Sequence, residues 1–72
     1  MDAELKAQEL GKQLKELKDQ WPYEERLKFA LENGYNEGTL RKYYFTGKPV
    51  NNIPTAEKML ATINAYLSLV NV

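Results

Sequence analysis

The chain has 72 residues, no formal net charge at neutral pH, and 43% apolar against 28% charged side chains. This length predicts a single domain over residues 1–72, near the size at which one hydrophobic core becomes marginal. The composition is typical of a folded globular domain and excludes a disordered segment. No apolar run approaches the roughly 20 residues that span a bilayer, so we expect no membrane contact and a cytoplasmic location.

Side chains for enzymatic and metal chemistry are scarce. The chain has no cysteine and no histidine, so disulfides and the usual zinc ligands are missing. Histidine is also the commonest proton-transfer group near neutral pH. The single serine, Ser68, lies in an apolar C-terminal run without a neighbouring base. We therefore expect a protein that is not an enzyme and that needs no cofactor.

Positive charge is concentrated in one stretch of the chain. Residues 35–48 contain Arg41, Lys42 and Lys48 against Glu37 alone. Of the segments 1–20, 21–34, 35–48 and 49–72, this is the only one with a net positive charge. The distribution of charge matters more than its sum for binding to nucleic acid. The lysines of the first helix alternate with acidic residues, which predicts a solvated face instead of a DNA-binding one.

Two helices are predicted before residue 35. The first carries apolar residues at alternating spacings of four and three, namely Ala3, Ala7, Leu10, Leu14, Leu17 and Trp21. The second runs from about Pro22 to Asn33, because proline suits a first helical turn and Asn33-Gly34 can end a helix in the left-handed conformation.

A third helix is predicted over about residues 36–46. Asn36 can cap it, and Gly47 before Lys48-Pro49 ends it. Successive helical residues point about 100° apart, so the three aromatics at 43–45 cannot share one buried face. We expect Tyr43 and Tyr44 in the core and Phe45 outward, against a thymine methyl group or a protein partner.

The last predicted helix is capped by Thr55 and has one apolar face, made of Met59, Leu60, Ile63, Tyr66, Leu67 and Val70. Leu69 and Val72 fall outside this stripe. These additional apolar residues favour a homodimer through the C-terminal helix. They could also complete the monomer core, or pack against a missing part of a longer regulator.

The spacing from Phe29 to Lys48 is typical of a helix-turn-helix. Ala30 is small where two helices would cross, and Gly34 tolerates a sharp turn. Apolar contacts from Tyr35, Leu40 and Tyr43 can then hold the second helix against the first. The second helix of such a pair can lie in a major groove of DNA.

With these motifs, the chain resembles the Xre/Cro-type helix-turn-helix regulators, the repressors of phages and their bacterial relatives, over roughly Leu10 to Ile63. "LGKQLKELK" and "TAEKMLATI" look like the family's first helix and the helix after the motif. "RLKFA" is similar to its Gln-x-x-x-Ala, with Arg26 at the glutamine position, and "NEGTLRKYYFTGKP" resembles its recognition helix. The chain differs by Asn33 at a usually apolar position, by an early second helix carrying Glu24 and Glu25, and by an extra residue before Gly47.

The resemblance implies a compact all-α, lambda-repressor-like domain of four helices, or five. It implies a transcriptional regulator of phage or mobile-element type that binds double-stranded DNA, acting as a repressor or an activator. The predicted base contacts, on the outward side of the recognition helix, are Asn36, Glu37, Gly38, Arg41 and Phe45. Of these, Arg41 is expected to bind guanine, Asn36 to read adenine and Glu37 to accept from cytosine. The predicted phosphate contacts are Arg26, Lys42 and Lys48. The alternative is a helical protein-interaction module that binds a regulator or RNA polymerase without DNA contact.

Overall fold

The computed structural model describes residues 2–70, which form four α-helices and no strand. The helices are α1 (Asp2–Leu17), α2 (Tyr23–Glu32), α3 (Glu37–Tyr44) and α4 (Ile53–Val70), with a single 3₁₀ turn at Lys18–Gln20. The all-α prediction is confirmed. Within residues 2–70, no helix combines the length and the apolar character that a bilayer crossing requires. Val72, one of the apolar residues predicted to lie outside the main face of the last helix, is not among the described residues.

All four helices contribute to one core. Leu14, Leu40, Met59 and Ile63 are completely buried, and the most extensive helix pair is α1 with α4. Trp21 is 1% exposed, although it does not belong to α1 as the apolar spacing predicted. It follows the 3₁₀ turn in an extended conformation, and this change of backbone direction turns the indole into the core.

The start of α4 differs from the prediction. The Asn52 side-chain oxygen accepts from the backbone N–H of Thr55 at 3.2 Å, so Asn52 is the capping residue. Pro54 then occupies the first turn, where a helix does not need its N–H. Thr55 is therefore not the cap, and its hydroxyl instead lies 3.2 Å from the hydroxyl of Tyr35.

The end of α4 extends beyond the core. Tyr66 and Leu67 are half-buried, but Leu69 is 76% exposed and Val70 is 54% exposed. Val70 of the predicted apolar face does not reach the core, because the helix continues past the residues that pack on its neighbours. This leaves two apolar side chains in solvent at one end of the molecule.

Candidate nucleic-acid interface

The turn between α2 and α3 has the hydrogen bonds of a Schellman motif. Gly34 has φ of 78°, in the left-handed region. The Tyr35 N–H donates to the Ala30 carbonyl at 2.8 Å, and the Gly34 N–H donates to the Leu31 carbonyl at 3.4 Å. These bonds satisfy the last carbonyls of α2 while the chain reverses. The predicted role of Gly34 is confirmed, and the turn gives α3 a defined direction against α2.

Asn33 has polar partners in place of the expected apolar contact. Its side-chain amide donates to the Phe29 carbonyl at 2.8 Å, and its side-chain oxygen accepts from Lys58 of α4 at 2.7 Å. The departure from the family pattern at this position is therefore compensated by a link between the turn and α4.

The first turn of α3 is capped by Asn36, as predicted. The Asn36 side-chain oxygen accepts from the Thr39 N–H at 2.7 Å and from the Thr39 hydroxyl at 2.9 Å. A bidentate contact with adenine requires this same oxygen together with the side-chain amide. Because the cap already uses the oxygen, the Asn36 side chain serves to stabilise the start of α3. The structure gives no support to its predicted contact with adenine.

Glu37 was predicted to point outward toward cytosine, but it is only 5% exposed. One carboxylate oxygen lies 3.1 Å from Nε of Arg41, and the other lies 3.8 Å from Nε of Arg26. The charges of these two arginines keep the carboxylate between α2 and α3. The outward position predicted for Glu37 is therefore wrong.

Arg26 is held by the same cluster. Its side chain is 18% exposed, and its guanidinium carbon lies 5.8 Å from the centre of the Tyr23 ring. Burial against Glu37 and Tyr23 removes most of this side chain from the surface. The structure gives no support to the predicted phosphate contact of Arg26.

The aromatics at the end of α3 exchange their predicted places. Phe45 is 3% exposed and packs edge-on against Trp21, with ring centroids 6.1 Å apart. Tyr43 is 45% exposed instead. The helix ends at Tyr44, and the backbone of Phe45 leaves the helical conformation, so helical spacing no longer determines its direction. The prediction that Phe45 points outward is wrong, and the structure gives no support to either of its proposed contacts.

The outer face of α3 is small and positively charged. Gly38, Arg41 and Lys42 are exposed on the helix, and Lys48 is exposed in the loop that follows. The Lys42 ammonium lies 5.6 Å from the centre of the Tyr43 ring, and this contact favours an ordered position for the lysine. We call these four residues the α3 face.

Lys15 of α1 lies beside the α3 face, which the sequence did not predict. Its side chain packs on Gly47, where an added Cβ atom would come within 2.9 Å of the lysine Cδ atom. No local pattern indicates this contact, since it joins residues that are distant in the chain. Lys15 therefore adds a cation next to the loop that carries Lys48.

The start of α2 is unsuited to a phosphate. Pro22 precedes the helix without a side-chain cap, and Glu24 and Glu25 occupy the first turn. Two carboxylates near the positive end of the helix dipole repel an anion that the free amides would otherwise attract. DNA contact at this helix end is disfavoured.

The outer side of α2 carries an apolar stripe. Tyr23, Leu27 and Leu31 recur every four residues and are 54%, 36% and 71% exposed. Residues at this spacing lie on one helix face. The stripe is exposed to solvent, whereas Phe29 and Ala30 of the same helix are buried.

Comparisons of the chain with protein-family models, with curated proteins and with solved structures found no match. The resemblance to Xre/Cro-type regulators stays a prediction that rests on the motifs in the sequence.

Proposed function

We propose that this protein is a transcriptional regulator of the phage-repressor type that binds double-stranded DNA with α3 in the major groove. One observation supports this proposal above the others. Leu40 and Tyr44 anchor α3 in the core, while Gly38, Arg41 and Lys42 on its outer side remain exposed. A short helix presented in this way after a tight turn matches the docking geometry of the helix-turn-helix class.

The cations of the α3 face have different tasks in this proposal. The Arg41 side chain is 64% exposed, and arginine is suited to bind guanine through two parallel hydrogen bonds. Lys42 and Lys48 bind phosphates, with Lys15 beside them, and so set the register of the protein on the duplex. Gly38 has no side chain and lets the DNA backbone or a base edge approach the helix.

Binding to a fluorescently labelled duplex of randomised sequence at low salt tests the proposal. A protein without net charge depends on a few local phosphate contacts, so its affinity should fall with salt only modestly. With about two phosphate contacts in each protomer, log K against log salt should have a slope of about −2 for a monomer and about −4 for a dimer.

Two variants separate the tasks of the cations. Lys42→Ala should weaken all duplexes alike and reduce the salt slope by about one for each protomer, whereas Arg41→Ala should relax the preference at one base pair. Lys6→Ala is the control, because Lys6 pairs with Glu57 of α4. Equal binding by all three variants and the wild type, or no binding of any duplex at low salt, would contradict the proposal.

The apolar stripe on α2 supports a second candidate, a protein-interaction module. Tyr23, Leu27 and Leu31 resemble the anchors with which an amphipathic helix enters an apolar groove of a partner such as a regulator or RNA polymerase. Phe45 no longer contributes to this candidate, since it is buried. Leu31→Glu should abolish such a complex and leave DNA binding unchanged. Loss of DNA binding in this variant would argue against a separate partner surface.

A further inference from the structure

Glu37 is the most enclosed charged side chain in the part of the chain that the structure describes. It is 5% exposed at the first residue of α3. A carboxylate removed from water is costly unless cations or hydrogen-bond donors compensate it. Here the compensation comes from Arg41, one turn further along α3, and from Arg26 of α2.

The two arginines compensate the carboxylate unequally. Nε of Arg41 lies 3.1 Å from one carboxylate oxygen and forms the closer of the two ion pairs. Nε of Arg26 lies 3.8 Å from the other oxygen, and neither of these two buried atoms has a hydrogen-bond partner among the described residues. The close contact of Glu37 is therefore with Arg41, while Arg26 adds positive charge behind the carboxylate.

The contact leaves the far end of Arg41 available. Arginine has one N–H at Nε and four on its two terminal amino groups. Glu37 engages Nε, and the side chain is still 64% exposed. An arginine held at Nε can offer both terminal amino groups, side by side, to the O6 and N7 acceptors of guanine.

We propose that Glu37 is a positioning residue that holds Arg41 at Nε so that its terminal amino groups select a guanine in the major groove. This inference rests on the proposed function and defines how the α3 face gains specificity. Glu37 does not touch the base. It restricts a long side chain that would otherwise lose rotamer freedom on binding.

The test uses a duplex selected by the wild-type protein from a randomised pool, with single-base replacements at the position that depends on Arg41. The wild type should prefer guanine there by roughly 5- to 150-fold. Glu37→Gln keeps the shape of the side chain but removes its charge, and it should lower this preference at least about fivefold. Glu57→Gln, at the ion pair with Lys6, is the matched control and should retain the preference.

A double variant shows whether Glu37 acts through Arg41. In the Arg41→Ala background, Glu37→Gln should cause no further change in base preference. A further change would mean that Glu37 contacts a base itself and would overturn the inference. Arg41→Lys is a second variant for the case in which Glu37→Gln does not fold. Arg41→Lys should fold, because the Arg41 side chain is exposed. It should lose the guanine preference and keep low-salt affinity for unrelated duplexes.

A measurement without DNA separates the two proposals. The Arg41 Nε–H should give a proton resonance by NMR that is protected from exchange in the wild type and broadened in Glu37→Gln. An unprotected wild-type resonance, or wild-type DNA binding with an unchanged guanine preference in Glu37→Gln, overturns the inference alone. Failure of the wild type to bind any duplex overturns the proposed function and this inference with it.

Discussion

Tyr44 lies at the junction of α3, the turn before it and α4. The side chain is 3% exposed, and the Tyr35 and Thr55 hydroxyls, 3.2 Å from each other, are close by. Burial raises the pKa of the Tyr44 phenol above its ordinary value, and the neighbouring Tyr35 raises the pKa further. The protonated phenol is therefore favoured in the folded state.

This raised pKa predicts a loss of stability at alkaline pH. The contribution of Tyr44 is fully present below about pH 10, where the phenol is protonated in both states. It is lost as the pH rises from there toward the higher pKa of the folded protein, at about 1.4 kcal/mol per pH unit. Urea unfolding between pH 8 and 11 should show a smaller alkaline loss for Tyr44→Phe than for the wild type.

Tyr43→Phe is the control, since it makes the same substitution at an exposed position on the same helix. Its alkaline loss should match that of the wild type. Parallel curves for the wild type and Tyr44→Phe would mean that other groups determine the alkaline transition.

At the scale of elements, α1 and the loop after α3 are in direct contact at Gly11. A Cβ atom added to Gly11 would lie 2.0 Å from the Lys48 carbonyl oxygen. One turn earlier, the Ala7 carbonyl accepts from the Val50 N–H at 3.2 Å. Small residues on this face of α1 let the loop backbone lie against the helix, and this contact holds the loop that carries Lys48.

Two glycine substitutions should therefore have opposite effects. Gly11→Ala should lower the free energy of unfolding by about 1–3 kcal/mol, because backbone must move to admit the methyl group. Gly38→Ala in α3 should raise it by up to about 1 kcal/mol, since the nearest atom to the new Cβ is the Asn36 side-chain oxygen at 3.4 Å and alanine favours helix. Thermal and urea unfolding of both variants check this. Equal stability of Gly11→Ala and the wild type would contradict the close approach.

At the scale of the whole molecule, we expect the predicted homodimer to form through the exposed end of α4. Leu69 and Val70 lie in solvent there. A two-fold dimer would hold two α3 helices about one DNA turn, roughly 34 Å, apart and would favour a palindromic site. We expect sedimentation to show a dimer that Leu69→Glu converts to a monomer.

Leu31→Glu is the matched control for the dimer, because Leu31 is 71% exposed on the other apolar surface. It should remain dimeric. Dissociation by Leu31→Glu but not by Leu69→Glu would assign the interface to α2. A wild type that is monomeric with and without DNA, and that leaves one asymmetric footprint, would refute the dimer.

Local interactions explain which features the sequence determined. The Asn36 cap and the left-handed Gly34 depend on atoms within a few residues of each other, so their residue types were sufficient to predict them. The four helices follow from apolar spacing in the same way. For these features, a short segment contains the whole physical cause.

Only the tertiary structure decided which side chains of α3 reach solvent. Phe45 is buried because Trp21, 24 positions earlier, provides an aromatic surface where the helix has ended. Glu37 is buried because Arg26 of α2 and Arg41 compensate its charge. Helical spacing gives the direction of a residue relative to its own helix axis, and it contains no information on what another element places opposite. Arg41 and Lys42 were therefore assigned to the exposed face correctly from the sequence, while the burial of Glu37 and Phe45 depended on partners brought together by folding.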